Sequence, residues 1–161
     1  MSEQLRLAFY KGEGRLTDRV IRWVTMSEFS HVELVREGVD LPNGVHRAAA
    51  ISSSPRDGGV RVKLIDFKPE NWEFVEINAW APLNMWSRAA VHLGDGYDYA
   101  GILFSQAFSI RRHAPDRWFC SELLGYAAGL PSPQTMAPGD FMDQVKLLNQ
   151  VWHLAGIEEA S

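Results

Sequence analysis

Residues 117–130 read Arg117-Trp118-Phe119-Cys120-Ser121-Glu122-Leu123-Leu124-Gly125-Tyr126-Ala127-Ala128-Gly129-Leu130. The apolar run that starts at Cys120 is expected to be a helix, with Gly129 as its C-cap and Pro131 and Pro133 beyond it. Its first residue is the only cysteine of the chain. The positive end of a helix stabilises an anion, so a thiol placed there is well disposed to act as a thiolate.

Working outward, Pro138 and Asp140 are expected to open a last helix that runs through Leu148. Upstream, Pro82 opens a helix candidate with Trp86, Ala89, Ala90 and Leu93 on one side, stopped by Gly94. Gly96-Tyr97-Asp98-Tyr99-Ala100-Gly101 leads into a further apolar helical stretch. Before Asn78 the character is different. Leu5–Phe9, His31–Val35, His46–Ser53, Val60–Ile65 and Trp72–Ile77 read as strands, separated by turn residues at Pro42-Asn43-Gly44, Pro55–Gly59 and Lys68–Asn71. Leu16, Val20, Ile21, Trp23 and Val24 recur at helical spacing between the first two strands. One helix with antiparallel strands, then mostly helices, predicts an α+β fold with a small antiparallel sheet packed on helices.

The chain has 161 residues, the length of one domain, so residues 1–161 are expected to form a single unit. Sixteen basic residues against 20 acidic give a net charge of −4, which argues against nucleic-acid binding by phosphate neutralisation. Arg111, Arg112, His113 and Arg117 form a local basic cluster within that acidic balance. One cysteine cannot make an internal disulfide. The first residues lack the layout of a signal peptide, and the longest apolar stretch, near Tyr99–Ile110, is too short to span a membrane. The expectation is synthesis in the cytoplasm, with delivery elsewhere left to other factors.

Thiol chemistry needs a thiolate, a base that returns the proton, and donors for an oxyanion. Cys120 offers the first, and His31, in Phe29-Ser30-His31-Val32-Glu33, offers the second if its strand packs on the Cys120 helix. A third group should orient the imidazole. Glu33 shares a strand face with His31; Ser52 and Ser53 on the next strand, and more weakly His46, are alternatives. The histidines at 31, 46, 92, 113 and 153 show no metal-ligand spacing, and there is neither a Gly-x-Ser-x-Gly elbow nor a phosphate-binding loop. No metal or other cofactor is expected.

Phe29–Val35, Gly96–Tyr99 and Trp118–Leu123 together resemble the NlpC-type branch of the papain-like superfamily, in its circularly permuted form. In that form the histidine strand precedes the cysteine helix, as here. Met136–Asp140 resembles a segment that follows the cysteine helix in YiiX-like proteins, and Ser54–Arg61 resembles a version carried by small phage and prophage proteins. The resemblance covers about residues 5–145. It implies a permuted papain-like fold in which Cys120 is the nucleophile and His31 the general base and acid. Tyr97 is then the counterpart of a tyrosine that lines the site and aids the oxyanion, while Ser121, with Glu122, serves the helix start where that oxyanion is held. The third polar residue of relatives comes from the strand after the histidine strand, where this chain has Ala48–Ser53, so Glu33 and Ser52 both stay open. The implied activity is a thiol hydrolase on an amide, such as a cell-wall peptide or a related small amide. An acyltransferase or thioesterase on lipid esters, like the lecithin:retinol acyltransferase-like relatives, and a non-catalytic binding module are the alternatives.

Overall fold

The strands of the first half pair into one curled sheet, and the later helices cover one of its faces. The computed structural model describes residues 5–77, 80–99 and 116–156. In chain order the elements are β1 (Arg6–Tyr10), α1 (Leu16–Thr25), β2 (His31–Asp40), β3 (His46–Ser54), β4 (Gly59–Phe67) and β5 (Trp72–Glu76). There follow α2 (Met85–Ala90), β6 (Gly96–Tyr97), β7 (Arg117–Trp118), α3 (Cys120–Ala127), a 3₁₀ turn (Pro133–Thr135) and α4 (Pro138–Leu154). The seven strands form one sheet in the order β5-β1-β2-β3-β4-β6-β7. The fold is α+β. Pairing is antiparallel throughout except between β6 and β7, which run parallel, so the sheet is mixed where an antiparallel one is expected.

Strand alternation sorts the side chains onto two faces. Leu7, Phe9, Val32, Leu34 and Ile51 point into the main core, where they meet Leu123, Leu124, Phe141 and Met142 from α3 and α4. Phe9 anchors this layer, with ring centroids 5.7 Å from Phe29 and 6.0 Å from Phe141. Ala8, Val35, Ala48, Ala50 and Phe67 occupy the opposite face in a second, smaller cluster, with Trp72 and Phe74 packed on it. His31, Glu33 and Val35 alternate with Val32 and Leu34 and so belong to this second face.

Several boundaries differ from the sequence expectation. β2 continues past Val35 to Asp40 through an irregularity between Val35 and Gly38, because its outer half still pairs with His46–Ala48 of β3. The helix expected from Pro82 starts only at Met85, since Pro82 closes a turn with the Met85 amide (2.9 Å). α4 runs to Leu154 rather than Leu148, there being no glycine or proline before Gly156 to stop it. In α1 the apolar stripe is buried only in part: Ile21 goes inside together with Asp18, while Leu16 and Trp23 are 73% and 81% exposed. The helical stretch expected after Tyr99 and the basic residues Arg111, Arg112 and His113 lie outside the described residues.

The turn between β3 and β4 is locked against β6. The Val60 amide donates to the Asp95 carbonyl (2.9 Å) and the Tyr97 amide to the Gly58 carbonyl (3.1 Å). Gly59 has φ +153°, and a Cβ there would lie 1.9 Å from the Asp95 carbonyl oxygen. Gly59→Ala is therefore expected to cost about 1–3 kcal/mol in urea unfolding, as overpacking against rigid backbone does. Gly58 has open space around its Cβ position. Gly58→Ala should cost only the left-handed backbone penalty of about 1–2 kcal/mol.

Candidate active site

His31 is the first residue of β2, paired with Tyr10 of β1 and edge-on to the Trp72 ring at 6.4 Å. Its Nε2 lies 2.7 Å from Oε1 of Glu33, two residues on and on the same strand face. The Cys120 thiol acts on the imidazole electrostatically from the start of α3. Burial alone would push the imidazole pKa down. Glu33 and Cys120 override it and hold His31 up at about 10.

Glu33 is 1% exposed, and a lone buried carboxylate would be costly. Arg61 of β4 resolves this with a fork: Nη1 is 2.7 Å from Oε2 and Nη2 is 2.5 Å from Oε1. Against a burial effect that raises it, His31 and Arg61 together hold the Glu33 carboxyl below the usual range. Arg61 Nε in turn donates to Asp57 Oδ2 (2.8 Å), and Lys63 Nζ donates to Asp57 Oδ1 (3.0 Å). His31, Glu33, Arg61 and Asp57 thus form one continuous hydrogen-bonded chain, with the Cys120 thiol acting on its His31 end. Sequence reading missed Arg61 as a site residue. It stands two strands away from β2, so its meeting with Glu33 depends on the β2-β3-β4 order rather than on any local pattern.

The remaining candidates take other places. Ser52 donates to the Val32 carbonyl (2.6 Å) and Ser53 to the Trp118 carbonyl (2.6 Å). His46 Nδ1 bonds Asp40 (2.7 Å) and its Nε2 bonds Arg6 (3.0 Å), far along β3 from the turn. Among the third-group candidates, only Glu33 is found against the imidazole. Ser121 gives its hydroxyl to the Met136 carbonyl (2.6 Å), so what it can offer an oxyanion is its backbone amide. In α3 the first backbone bond runs from the Leu123 amide to the Phe119 carbonyl (3.1 Å). The amides of Cys120, Ser121 and Glu122 precede it in the first turn. Glu122 is buried in that turn, where the helix dipole favours a carboxylate. Tyr97 is buried beside Ile21 and Phe119, and burial raises its phenol pKa, with Cys120 adding to the rise.

A cleft of about 460 Å³ opens on the second sheet face. His31, Glu33 and Arg61 line it, together with Asp18 and Arg56, which pair at 2.5 Å. Asp18 also accepts from the Arg15 amide (2.7 Å) and the Ser30 hydroxyl (3.2 Å); these bonds and Arg56 hold its carboxyl low in spite of burial. Cys120 sits in the main core and has no exposed surface, whereas the His31 side chain is 14% exposed. The imidazole is therefore the group that connects cleft and thiol. A second cavity of about 190 Å³, almost wholly apolar, is lined by Leu16, Val20, Ile21, Val24 and Tyr97. Ile21 and Pro55 border both cavities. Among the described residues, no three His, Cys, Asp or Glu side chains group so as to hold a metal ion. Nor is any helix among them long and apolar enough to cross a membrane.

The His31–Glu33 pair ties stability to pH on both sides. His31 is raised to about 10, so its contribution is whole below the free imidazole value near 6.5 and is lost as pH rises through 10. Glu33 is lowered, so its contribution is present above the ordinary carboxylate range and is lost as pH falls below it. Glu33→Gln should cost about 3–5 kcal/mol in neutral urea unfolding, because it breaks a buried ion pair with His31 and takes from Arg61 one of its two carboxylate partners. In an NMR titration of the ring nitrogens, the same change should bring the His31 midpoint down toward the free value. An unmoved midpoint would contradict the pairing.

No protein-family model matches this chain and no curated protein does, so the chemistry of the site rests on its own geometry.

Proposed function

We propose that the protein is a thiol hydrolase that cleaves an amide bond, with Cys120 as nucleophile and His31 as general base and acid. One observation carries the reading: His31 is hydrogen-bonded to the buried Glu33 and is influenced by the Cys120 thiol, and that cysteine is the first residue of a helix. The resemblance to permuted NlpC-type papain-like proteins favours the same assignment, and it favours a cell-wall peptide or a related small amide as substrate.

In this mechanism the sulfur attacks the amide carbon while the proton resides on His31. The new C–S bond leaves negative charge on oxygen, for which the first-turn amides of α3 are the candidate donors, with the Tyr97 hydroxyl as a further one by resemblance. His31 then gives its proton to the leaving nitrogen, the C–N bond breaks and a thioester remains. Water enters, His31 takes its proton, the C–O bond forms and the C–S bond breaks. Acid and thiolate are released. Glu33 keeps the imidazole oriented and stabilises its charged form throughout. The burial of Cys120 means that the cleft has to open onto the sulfur before attack.

The apolar cavity beside Tyr97 favours a second reading, acyl transfer or thioester hydrolysis on lipid esters, with the acyl chain lodged against Ile21 and Val20. The two readings share one thioester and differ in what forms it. A panel of short peptide amides and of p-nitrophenyl acetate, butyrate and octanoate, followed by intact mass, separates them. The amide reading expects Cys120 to be acylated by peptide amides and acetyl ester, with His31→Ala slowing this by about 10²–10⁴-fold and Cys120→Ser abolishing it. Acylation that occurs only with octanoate would favour the lipid reading. A thiol that no substrate acylates, in folded protein whose denatured form reacts normally, would overturn both and leave a binding module.

A further inference from the structure

The segment Ser54–Arg61 has no part in the reaction as drawn, yet most of its side chains are tied into the site. The Ser54 hydroxyl accepts from the Arg56 amide (3.3 Å), Arg56 reaches Asp18 (2.5 Å), Asp57 accepts from Arg61 (2.8 Å), and Arg61 forks onto Glu33. The turn is held in place by Gly59, whose missing side chain lets β4 close on Asp95. Arg61 comes from β4 and crosses the whole of β3 to reach a carboxylate on β2. A side chain that long would sample many rotamers if unanchored. Asp57 fixes it at Nε while leaving both terminal nitrogens for Glu33.

We propose that Arg61, anchored by Asp57, is a positioning residue for the reaction: it keeps the buried Glu33 ionised and aimed at His31. The proposal rests on the thiol-hydrolase reading for its catalytic meaning, but the coupling it describes exists in the resting protein. Without Arg61, only the imidazole would balance a carboxylate that burial makes costly to charge. Glu33 would then take up a proton more readily and, once neutral, lose its hold on the imidazolium. The guanidinium fork also fixes the plane of the carboxylate, which a point charge cannot do.

The charged and titratable groups around this carboxylate come from two strands, the β3–β4 turn and two helices. His31 is on its own strand, Arg61 is on β4, and Asp57 and Lys63 stand behind Arg61. Across the cleft lies the Asp18–Arg56 pair, already neutralised within itself, and from α3 the Cys120 thiol meets His31 rather than Glu33. Arg61 is therefore the one positive side chain besides His31 hydrogen-bonded to Glu33 among the described residues.

The test is a carbon-13 NMR titration of the Glu33 carboxyl in the full chain, with His31 ring nitrogens followed in parallel, for wild type, Arg61→Gln and Arg61→Lys. Arg61→Gln should bind the Glu33 proton about tenfold or more tightly, so that the carboxylate is lost at higher pH. Arg61→Lys keeps the charge and should move it less, while failing to restore the His31 ring shifts. Under the hydrolase reading the acid limb of Cys120 acylation should move up with the Glu33 midpoint. Melting curves identify a variant that has not folded, in which case Arg61→Lys alone carries the comparison. If folded Arg61→Gln titrates like wild type, or Arg61→Lys restores the wild-type ring shifts, the proposal is overturned. Loss of acylation at every pH with the titration shift intact would instead count against the hydrolase reading and leave the coupling standing.

Discussion

The site is organised around one buried carboxylate. Glu33 has almost no contact with solvent, and a negative charge in that position survives only because two cations share it. One of them is the imidazolium of His31, so the carboxylate's need for a partner is also what holds the proton on the histidine. The other is Arg61, which makes the arrangement depend on β4 and on the turn before it. A strand order that separated β4 from β3 would strand the carboxylate, and the histidine would revert to an ordinary one.

Small hydroxyl groups set the positions of the two chain segments that have to meet. Ser52 bonds the carbonyl of Val32, next to the histidine, and Ser53 bonds the carbonyl of Trp118, two residues before the cysteine. Ser121 ties the start of α3 to Met136. Each adds a side-chain hydrogen bond to a buried backbone carbonyl, which a purely apolar side chain could not make. The core of Phe9, Phe29 and Phe141 supplies the burial, and these serines supply the register.

Much of this was legible in the chain itself. The strands before Asn78 announce themselves by alternation and turn residues, and the helix at Cys120 by its apolar run and its Gly129 stop. His31 and Glu33 share a face by strand alternation alone, which sufficed to place them together. What stayed hidden depends on long-range pairing. Arg61 could be found only by knowing that β4 lies two strands from β2. Ser52 and Ser53 stood as alternatives for orienting the imidazole, because nothing local distinguishes a hydroxyl bonded to backbone from one free to meet a side chain. In α1 helical spacing of the apolar residues did not show that a carboxyl, Asp18, goes inside beside Ile21, satisfied by Ser30 and Arg56.

The most direct measurement of the central claim is the rate at which iodoacetamide alkylates Cys120 near pH 6, in wild type and in His31→Ala, read by intact mass. A free thiol with a pKa of about 8.5 is almost wholly protonated there and reacts slowly. The thiolate–imidazolium account predicts rapid labelling of the folded wild type and a loss of at least about tenfold in His31→Ala. A rate that does not depend on His31 and rises with pH about the ordinary thiol value would contradict it, since burial of Cys120 slows labelling without moving that midpoint.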